Sequence, residues 1–240
     1  TTKLSSPLNK GSLLAVSHRT IYPIVQGPMA RISDNAAFAA KIAEEGALPF
    51  IAISTLKGTE VKKILEKVHT MMDGKSWGVG LLGFIENNLL KEQLEAIYPF
   101  NPPFAIVSGG LPSLIKMLES KGTFTYAHTP SPDILELFIE CGVRKFIFEG
   151  NECGGHIGPR SSFVLWEVMI EKLLEKFVDG YEPEKFHILF AGGIHDSISA
   201  AMVSTLSAPL VSRGVLVGVL MGTAYLFTEE IVQEGGIVRG

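Results

Sequence analysis

The architecture of this chain can be worked out from one stretch, which reads Ile147-Phe148-Glu149-Gly150-Asn151-Glu152-Cys153-Gly154-Gly155-His156-Ile157-Gly158-Pro159-Arg160. The apolar run Lys145 to Phe148 predicts a buried strand that leads into it. The strand ends at Glu149-Gly150, and the glycines that follow leave bare backbone that a ligand can approach closely. Ser161 or Ser162 then caps a helix that we expect to begin near Phe163.

The same order of strand, loop and helix recurs along the whole chain. Apolar runs predict eight strands, at 21–29, 47–53, 77–82, 104–107, 123–127, 145–148, 186–190 and 215–220. A predicted helix follows each strand, at 36–45, 60–72, 86–97, 112–120, 132–140, 163–177, 197–206 and 224–230. Uniformly apolar strands that alternate with helices predict a parallel sheet covered by helices. Eight such units predict an α/β protein with a (β/α)8 (TIM) barrel, and an open doubly wound sheet is the alternative.

Composition excludes several classes of protein. The chain has 240 residues, 46% of them hydrophobic and 19% charged, which predicts a large buried core. Its length suits one large domain or two small ones, and because no internal linker is visible we expect one domain over residues 1–240. Its net charge of −4, with dispersed lysines and arginines, argues against nucleic-acid binding. The amino terminus lacks an apolar signal core and no apolar run reaches the ~18 residues of a membrane span, so we expect no membrane partner. Cys141 and Cys153 suggest neither a disulfide framework nor a metal site, which is typical of the cytoplasm.

Glycine turns after the last two predicted strands indicate an anion site. Ligands of such barrels bind where strands end, and phosphates are often held after strands seven and eight. Gly192-Gly193 and Gly222-Thr223 occupy these two places, and their backbone amides predict a phosphate clamp to which Thr223 adds a hydroxyl. Two tight turns without a ligand are the alternative interpretation. The acidic clusters typical of Mg²⁺ or Zn²⁺ sites are missing from the sequence, so no metal is expected.

The histidines differ in what their positions predict. His156 lies among loop glycines, and an imidazole with an ordinary pKa near ~6.5 suits proton transfer at neutral pH. A neutral hydrogen-bond donor, or an incidental histidine in a turn, are the alternatives for His156. His128 and His195 follow predicted strands, where either could line a pocket or cap its own turn. We interpret His18, His69 and His187 as surface or strand-start residues. Cys153 is expected to be a small packed thiol.

Four motifs stand in order at the ends of predicted strands one, six, seven and eight: Pro23-Ile-Val-Gln-Gly-Pro-Met29, Glu149-Gly-Asn-Glu-Cys-Gly-Gly-His156, Ala191-Gly-Gly-Ile194 and Met221-Gly-Thr223. Together they resemble the nitronate monooxygenase (2-nitropropane dioxygenase) family, which includes the FMN-dependent enoyl-acyl-carrier-protein reductases. The resemblance extends from about Tyr22 to Phe227. The form of the loop from Glu152 to Ser162 is similar to the version found within polyketide or fatty-acid synthase polypeptides, so we expect a domain of a larger synthase with neighbouring synthase domains as partners.

The resemblance implies a flavin, FMN, on the carboxyl-terminal face of the barrel. By the family pattern, the residues that run along the ring and ribityl chain are Gly27, Pro28 and Met29. Those that border the flavin are Glu149, Gly150 and Gly155. Those that bind its phosphate are Gly192, Gly193, Gly222 and Thr223. His156 matches the catalytic histidine of the family. It removes the α-proton in nitronate oxidation, and in the reductases it lies at the acyl-substrate and flavin site.

Two activities follow from the resemblance, and the sequence leaves both open. The first is reduction of an enoyl thioester, either small or bound to a carrier protein, with NAD(P)H as a candidate electron donor. The second is oxidation of alkyl nitronates. A non-catalytic scaffold barrel within a synthase is an alternative from another class, and a phosphate-ester barrel without flavin is a further one.

Overall fold

Eight parallel strands form a closed barrel in this computed structural model, which describes residues 6–155 and 157–238. The strands are β1 (Ile24–Gln26), β2 (Leu48–Ala52), β3 (Gly78–Leu82), β4 (Phe104–Ser108), β5 (Phe124–His128), β6 (Lys145–Glu149), β7 (His187–Ala191) and β8 (Leu216–Met221). They pair in chain order, and β8 closes the ring against β1 with Val25 opposite Leu220. The predicted (β/α)8 barrel is confirmed. The open sheet is wrong, because its first and last strands would not be paired.

Helices cover the barrel, most of them on its outside. They are α1 (Leu13–His18), α2 (Ala36–Glu44), α3 (Gly58–Met72), α4 (Asn87–Ile97), α5 (Pro112–Ser120), α6 (Pro132–Glu140), α7 (Ser162–Val178), α8 (Ser197–Leu206), α9 (Ala208–Val211) and α10 (Glu229–Gln233). The predicted last helix, 224–230, is wrong in detail. A 3-10 helix, Thr223–Phe227, comes first, and extended backbone at Thr228 separates it from α10. Short α1 and α9 were not predicted, because each is too short to show a clear periodicity.

Two layers of apolar side chains explain why the strands are apolar throughout. Successive side chains of a strand point to opposite faces. One face forms a cluster inside the barrel that includes Phe50, Ile106, Tyr126 and Leu189. The opposite face packs under the helices, where for example Phe148 and Phe190 belong to one cluster with residues of α7: Leu165, Trp166 and Met169.

Helix α1 lies across the amino-terminal end of the barrel. Leu14 of α1 belongs to the interior cluster, and His18 is fully buried with its Nε2 2.6 Å from the Tyr126 hydroxyl oxygen. Gly218 of β8 makes room, since a Cβ there would lie 2.3 Å from Leu14 Cδ2. The surface position expected for His18 is therefore wrong, because α1 folds back under the strands. His187 does begin a strand as expected, but it is buried against Phe124.

Within the described ranges, none of the helices combines the length and the apolar character that crossing a membrane would require.

Candidate active site

A cavity of about 760 Å³ opens at the carboxyl-terminal ends of the strands. Residues from all eight strands or the loops that follow them line it. Its volume lies within the ~300–1,000 Å³ that is typical of small-molecule sites. The carboxyl-terminal face is also where barrels of this architecture carry their active sites. This cavity is therefore the candidate active site.

Nine of the residues predicted for the site line this cavity: Gly27, Pro28, Met29, Glu149, Gly155, Gly192, Gly193, Gly222 and Thr223. Gly150 does not line it. That residue is packed behind the wall, where an added Cβ would lie 2.2 Å from Ser162 Cα. His156 lies outside the described residues, so its role stays a prediction. The contacts of all these residues with a flavin also stay predictions.

The turn after β1 is held close to the barrel mouth by a buried side chain. The Gln26 amide donates to the carbonyl oxygen of Gly27, and its Oε1 accepts from Phe50 N at 3.1 Å. Glycine is needed twice here. A Cβ at Gly27 would lie 2.7 Å from Leu220 Cδ2, and one at Gly80 would lie 2.3 Å from Pro28 Cβ. The backbone of this turn can therefore form the side of the cavity.

The turns after β7 and β8 are neighbours, because Ala191 pairs with Leu220 at the ends of those strands. Gly192 has φ 120° and Gly193 has φ 70°, a region that glycine adopts readily and other residues rarely do. At Gly193 an added Cβ would meet only Glu152 Cβ, at 3.8 Å, so the backbone there faces open space. Gly222 precedes a 3-10 helix rather than the predicted α-helix. Bare backbone from both turns thus forms one wall of the cavity.

The loop after β6 is tied to the start of α7 through Glu152. Its Oε2 accepts hydrogen bonds from Ser162 N at 2.6 Å and Ser162 Oγ at 2.5 Å, and the hydroxyl lowers the pKa of the carboxyl. Ser161, one of the two predicted caps, makes no side-chain cap bond. The sequence did not predict Glu152 as a cap, because it lies ten residues before Ser162 and meets the helix only through the folded loop.

An imidazole and a carboxylate meet inside the barrel mouth. His128 and Glu149 end β5 and β6, and His128 Nε2 lies 2.8 Å from Glu149 Oε2. The Cys153 thiol is beside them. Burial raises its pKa, and the Glu149 and Glu152 carboxylates raise it further, so the thiol stays protonated. This is consistent with the packed thiol that the sequence predicted.

The charges around the cavity are few. The ionisable side chains among its described lining residues are His128, Glu149, Glu152, Cys153 and His195, with no lysine or arginine in that part of the chain. His195 lies at the solvent edge, and its Nδ1 is 2.9 Å from the carbonyl oxygen of Gly193. A bound phosphate would therefore depend on backbone amides.

Fold and site define this chain as a (β/α)8 barrel with a ligand cavity at the carboxyl-terminal face. Among solved structures, FabK from Thermotoga maritima is similar, with a TM-score of 0.73 and 23% identity over 90% of this chain and 63% of that chain. Nitroalkane oxidase from Streptomyces ansochromogenes is similar with a TM-score of 0.70 and 19% identity, over 90% and 69% of the two chains. The enoyl reductase domain of MlnA, from the macrolactin biosynthesis cluster of Bacillus amyloliquefaciens, has a TM-score of 0.69 and 16% identity, over 94% and 58%.

These comparisons bear on the fold. The resemblance expected from the four motifs is confirmed at that level, because an enoyl reductase domain and a nitroalkane oxidase share the barrel. The chain spans 63%, 69% and 58% of the lengths of the three neighbours. No family model matches the sequence, and no curated protein matches it.

Proposed function

We propose that this chain is an FMN-dependent oxidoreductase that reduces an enoyl thioester in polyketide or fatty-acid synthesis. The observation that carries the proposal is the wall of bare backbone formed by the turns after β7 and β8, beside a cavity of about 760 Å³. Barrels commonly hold a phosphate at this place. The likeness of the fold to an enoyl reductase domain supports the choice of reaction.

The residues present fit FMN. Gly193 and Gly222 leave space beside the backbone, since an added Cβ would meet nothing closer than 3.8 Å and 3.7 Å respectively. Gly192, Gly193, Gly222 and Thr223 would hold the phosphate through amides and one hydroxyl, and Gly27, Pro28 and Met29 would lie along the ring and ribityl chain. Bound flavin supplies two-electron redox chemistry, so the chain itself needs to orient the substrate, exclude water and move a proton.

The cavity also suits an acyl substrate. Apolar side chains such as Ile106, Ile147 and Leu220 line its base, and they would exclude water from the reacting double bond. By the resemblance, His156 lies at the acyl-substrate and flavin site. NAD(P)H is the proposed electron donor, and a carrier protein or neighbouring synthase domains are the proposed partners.

Flavin binding and turnover test the proposal in sequence. The purified chain is first titrated with FMN, and we expect quenching of flavin fluorescence and a yellow complex. The complex is then reduced anaerobically with NADPH or NADH and mixed with crotonyl-coenzyme A. Reoxidation of the flavin with formation of the saturated thioester supports an enoyl reductase. If the protein carries no flavin absorbance once unbound FMN has been removed, the proposal is contradicted. That result favours a scaffold barrel or a phosphate-ester barrel without flavin.

Oxidation of nitronates is the second candidate, because the fold of a nitroalkane oxidase matches with a TM-score of 0.70. If the neutral nitroalkane is the substrate, His156 would remove its α-proton and so form the nitronate. The test is anaerobic mixing of the oxidised complex with propyl-2-nitronate. Bleaching by the nitronate, together with no reaction of the reduced complex with the enoyl thioester, would replace the first candidate by the second.

A further inference from the structure

The pair formed by His128 and Glu149 lies deep in the candidate active site. Both residues are the last of their strands, and their side chains point into the barrel. Phe124 and Tyr126, four and two residues before His128 on β5, point to the same side. The His128 side chain is 3% exposed and that of Glu149 is 16% exposed, and both line the cavity. The pair therefore stands where a substrate that enters the barrel mouth would reach it.

The imidazole of His128 has an unusual environment. Its Nε2 is 2.8 Å from Glu149 Oε2, yet the two groups are not aligned as a hydrogen bond, and no other group in the described part of the chain is aligned with this buried nitrogen. Leaving a buried polar atom without a hydrogen bond destabilises the folded protein. Such an atom in a ligand cavity points to a role in the chemistry of the site.

A purely structural role, as a link between β5 and β6, does not explain why His128 and Glu149 are paired here. Thr129, the next residue, already joins the two strand ends, since its backbone N and its Oγ1 each donate to Ile147 O at 3.0 Å. The Thr129 side chain is neutral, so this link between the strands buries no charge. An ion pair at the same place would add desolvation cost without being needed to hold the strands together.

Reduction of an enoyl thioester requires a proton source. In this reaction a hydride, which bound reduced flavin would supply, is added to Cβ and a proton is added to Cα, while the C=C π bond is lost. We propose that His128 is the donor of the Cα proton and that Glu149 positions it. Because Nε2 faces Glu149, the Nδ1–H bond of the imidazolium is the one that breaks as the Cα–H bond forms, and the neutral imidazole then regains a proton from solvent. This inference rests on the proposed function and names a residue for the step that the resemblance leaves unassigned in the reductases.

Electrostatics supports this assignment. The described lining residues include two carboxylates, and Glu152 is already bound to Ser162 at the start of α7. Glu149, which also accepts a hydrogen bond from the Cys153 thiol, is therefore the carboxylate placed to stabilise an imidazolium at His128, and the imidazolium in turn neutralises it. A carboxylate that orients and stabilises a histidine is a common arrangement in acid–base catalysis.

Two variants and two controls test the assignment in the full chain with FMN. We expect His128→Gln to bind FMN with an affinity within about threefold of the wild type but to lower kcat at least ~100-fold, the usual contribution of a general acid, with little change in KM. His69→Gln, the same substitution on the exposed side of α3, should leave kcat unchanged. Nitrogen-15 spectra of labelled histidines in the flavin-free protein give a readout without turnover. Glu149→Gln should shift the ring-nitrogen signals of His128, and Glu152→Gln should not.

The outcomes separate this inference from the proposed function. An active wild type with a His128→Gln variant that keeps kcat within threefold overturns the donor assignment alone. Ring-nitrogen signals of His128 that are the same in Glu149→Gln and in the wild type overturn the positioning role, and they do so even if His128→Gln fails to fold. A wild type that binds FMN but reduces no enoyl thioester overturns the proposed function and this inference together.

Discussion

Acidification should destabilise this protein through two imidazoles at the amino-terminal end of the barrel. His18 of α1 is fully buried against Tyr126, and His187 is buried at the start of β7. Burial lowers the pKa of His18 from 6.5 to about 3, with a further contribution from nearby His187. Burial likewise lowers the pKa of His187 from 6.5 to about 4, and Lys145 adds to the effect. Both histidines are therefore neutral in the folded protein at physiological pH.

The sign and size of the effect follow from proton linkage. Between the folded pKa values of about 3 and 4 and the unfolded value of 6.5, the unfolded chain binds more protons than the folded chain. These two histidines therefore leave stability unaffected above about pH 6.5 and lower it as the pH drops below that value. At pH 5 each imidazole is almost fully protonated when unfolded and still neutral when folded. Each then destabilises the fold by about 2 kcal/mol, because 1.5 pH units correspond to about that free energy. Since both are neutral in the fold, the two effects add to about 4 kcal/mol.

Urea unfolding at pH 8 and pH 5 measures this loss, and His18→Gln isolates one part of it. Glutamine can still hydrogen-bond the Tyr126 hydroxyl but does not titrate. We expect the wild type to lose about 2 kcal/mol more than this variant between the two pH values. His69→Gln, which replaces an exposed histidine, should lose as much as the wild type. If His18→Gln and the wild type show the same pH dependence, the buried neutral imidazole is not the cause.

Two further predictions concern glycines. Gly193→Ala should weaken FMN binding at least tenfold in a fluorescence titration, because the new methyl group takes the open space beside the clamp. The control is Gly142→Ala, which has similar backbone strain at φ 90° but lies outside the cavity, and it should leave FMN affinity unchanged. Equal affinities in the two variants would contradict the clamp. Gly218→Ala should lower the free energy of unfolding by about 1–3 kcal/mol through overpacking, since its Cβ would lie 2.3 Å from Leu14 Cδ2. Unchanged thermal unfolding of this variant would show that α1 does not pack against β8 as described.

Much of the site could be predicted because its position follows from the architecture. Once alternating strands and helices indicate a barrel, residues that follow each strand must meet at one face. Gly27, Gly192 and Gly222 were placed at the cavity in this way. Apolar residues of its base such as Ile106 and Leu220 were not, because an inward-facing apolar side chain and an outward-facing one look alike in a strand that is buried on both faces.

The order of elements, the barrel and the glycine turns follow from the sequence, since they depend on local periodicity and on backbone conformations that neighbouring residues specify. The burial of His18 under the strands, the capping of α7 by Glu152, and the contact between His128 and Glu149 become visible only in the folded chain. Each of these joins residues from separate elements, at distances of 2.6 Å, 2.6 Å and 2.8 Å. Such contacts are set by how the barrel closes and how its loops fold over it, and no local pattern records them.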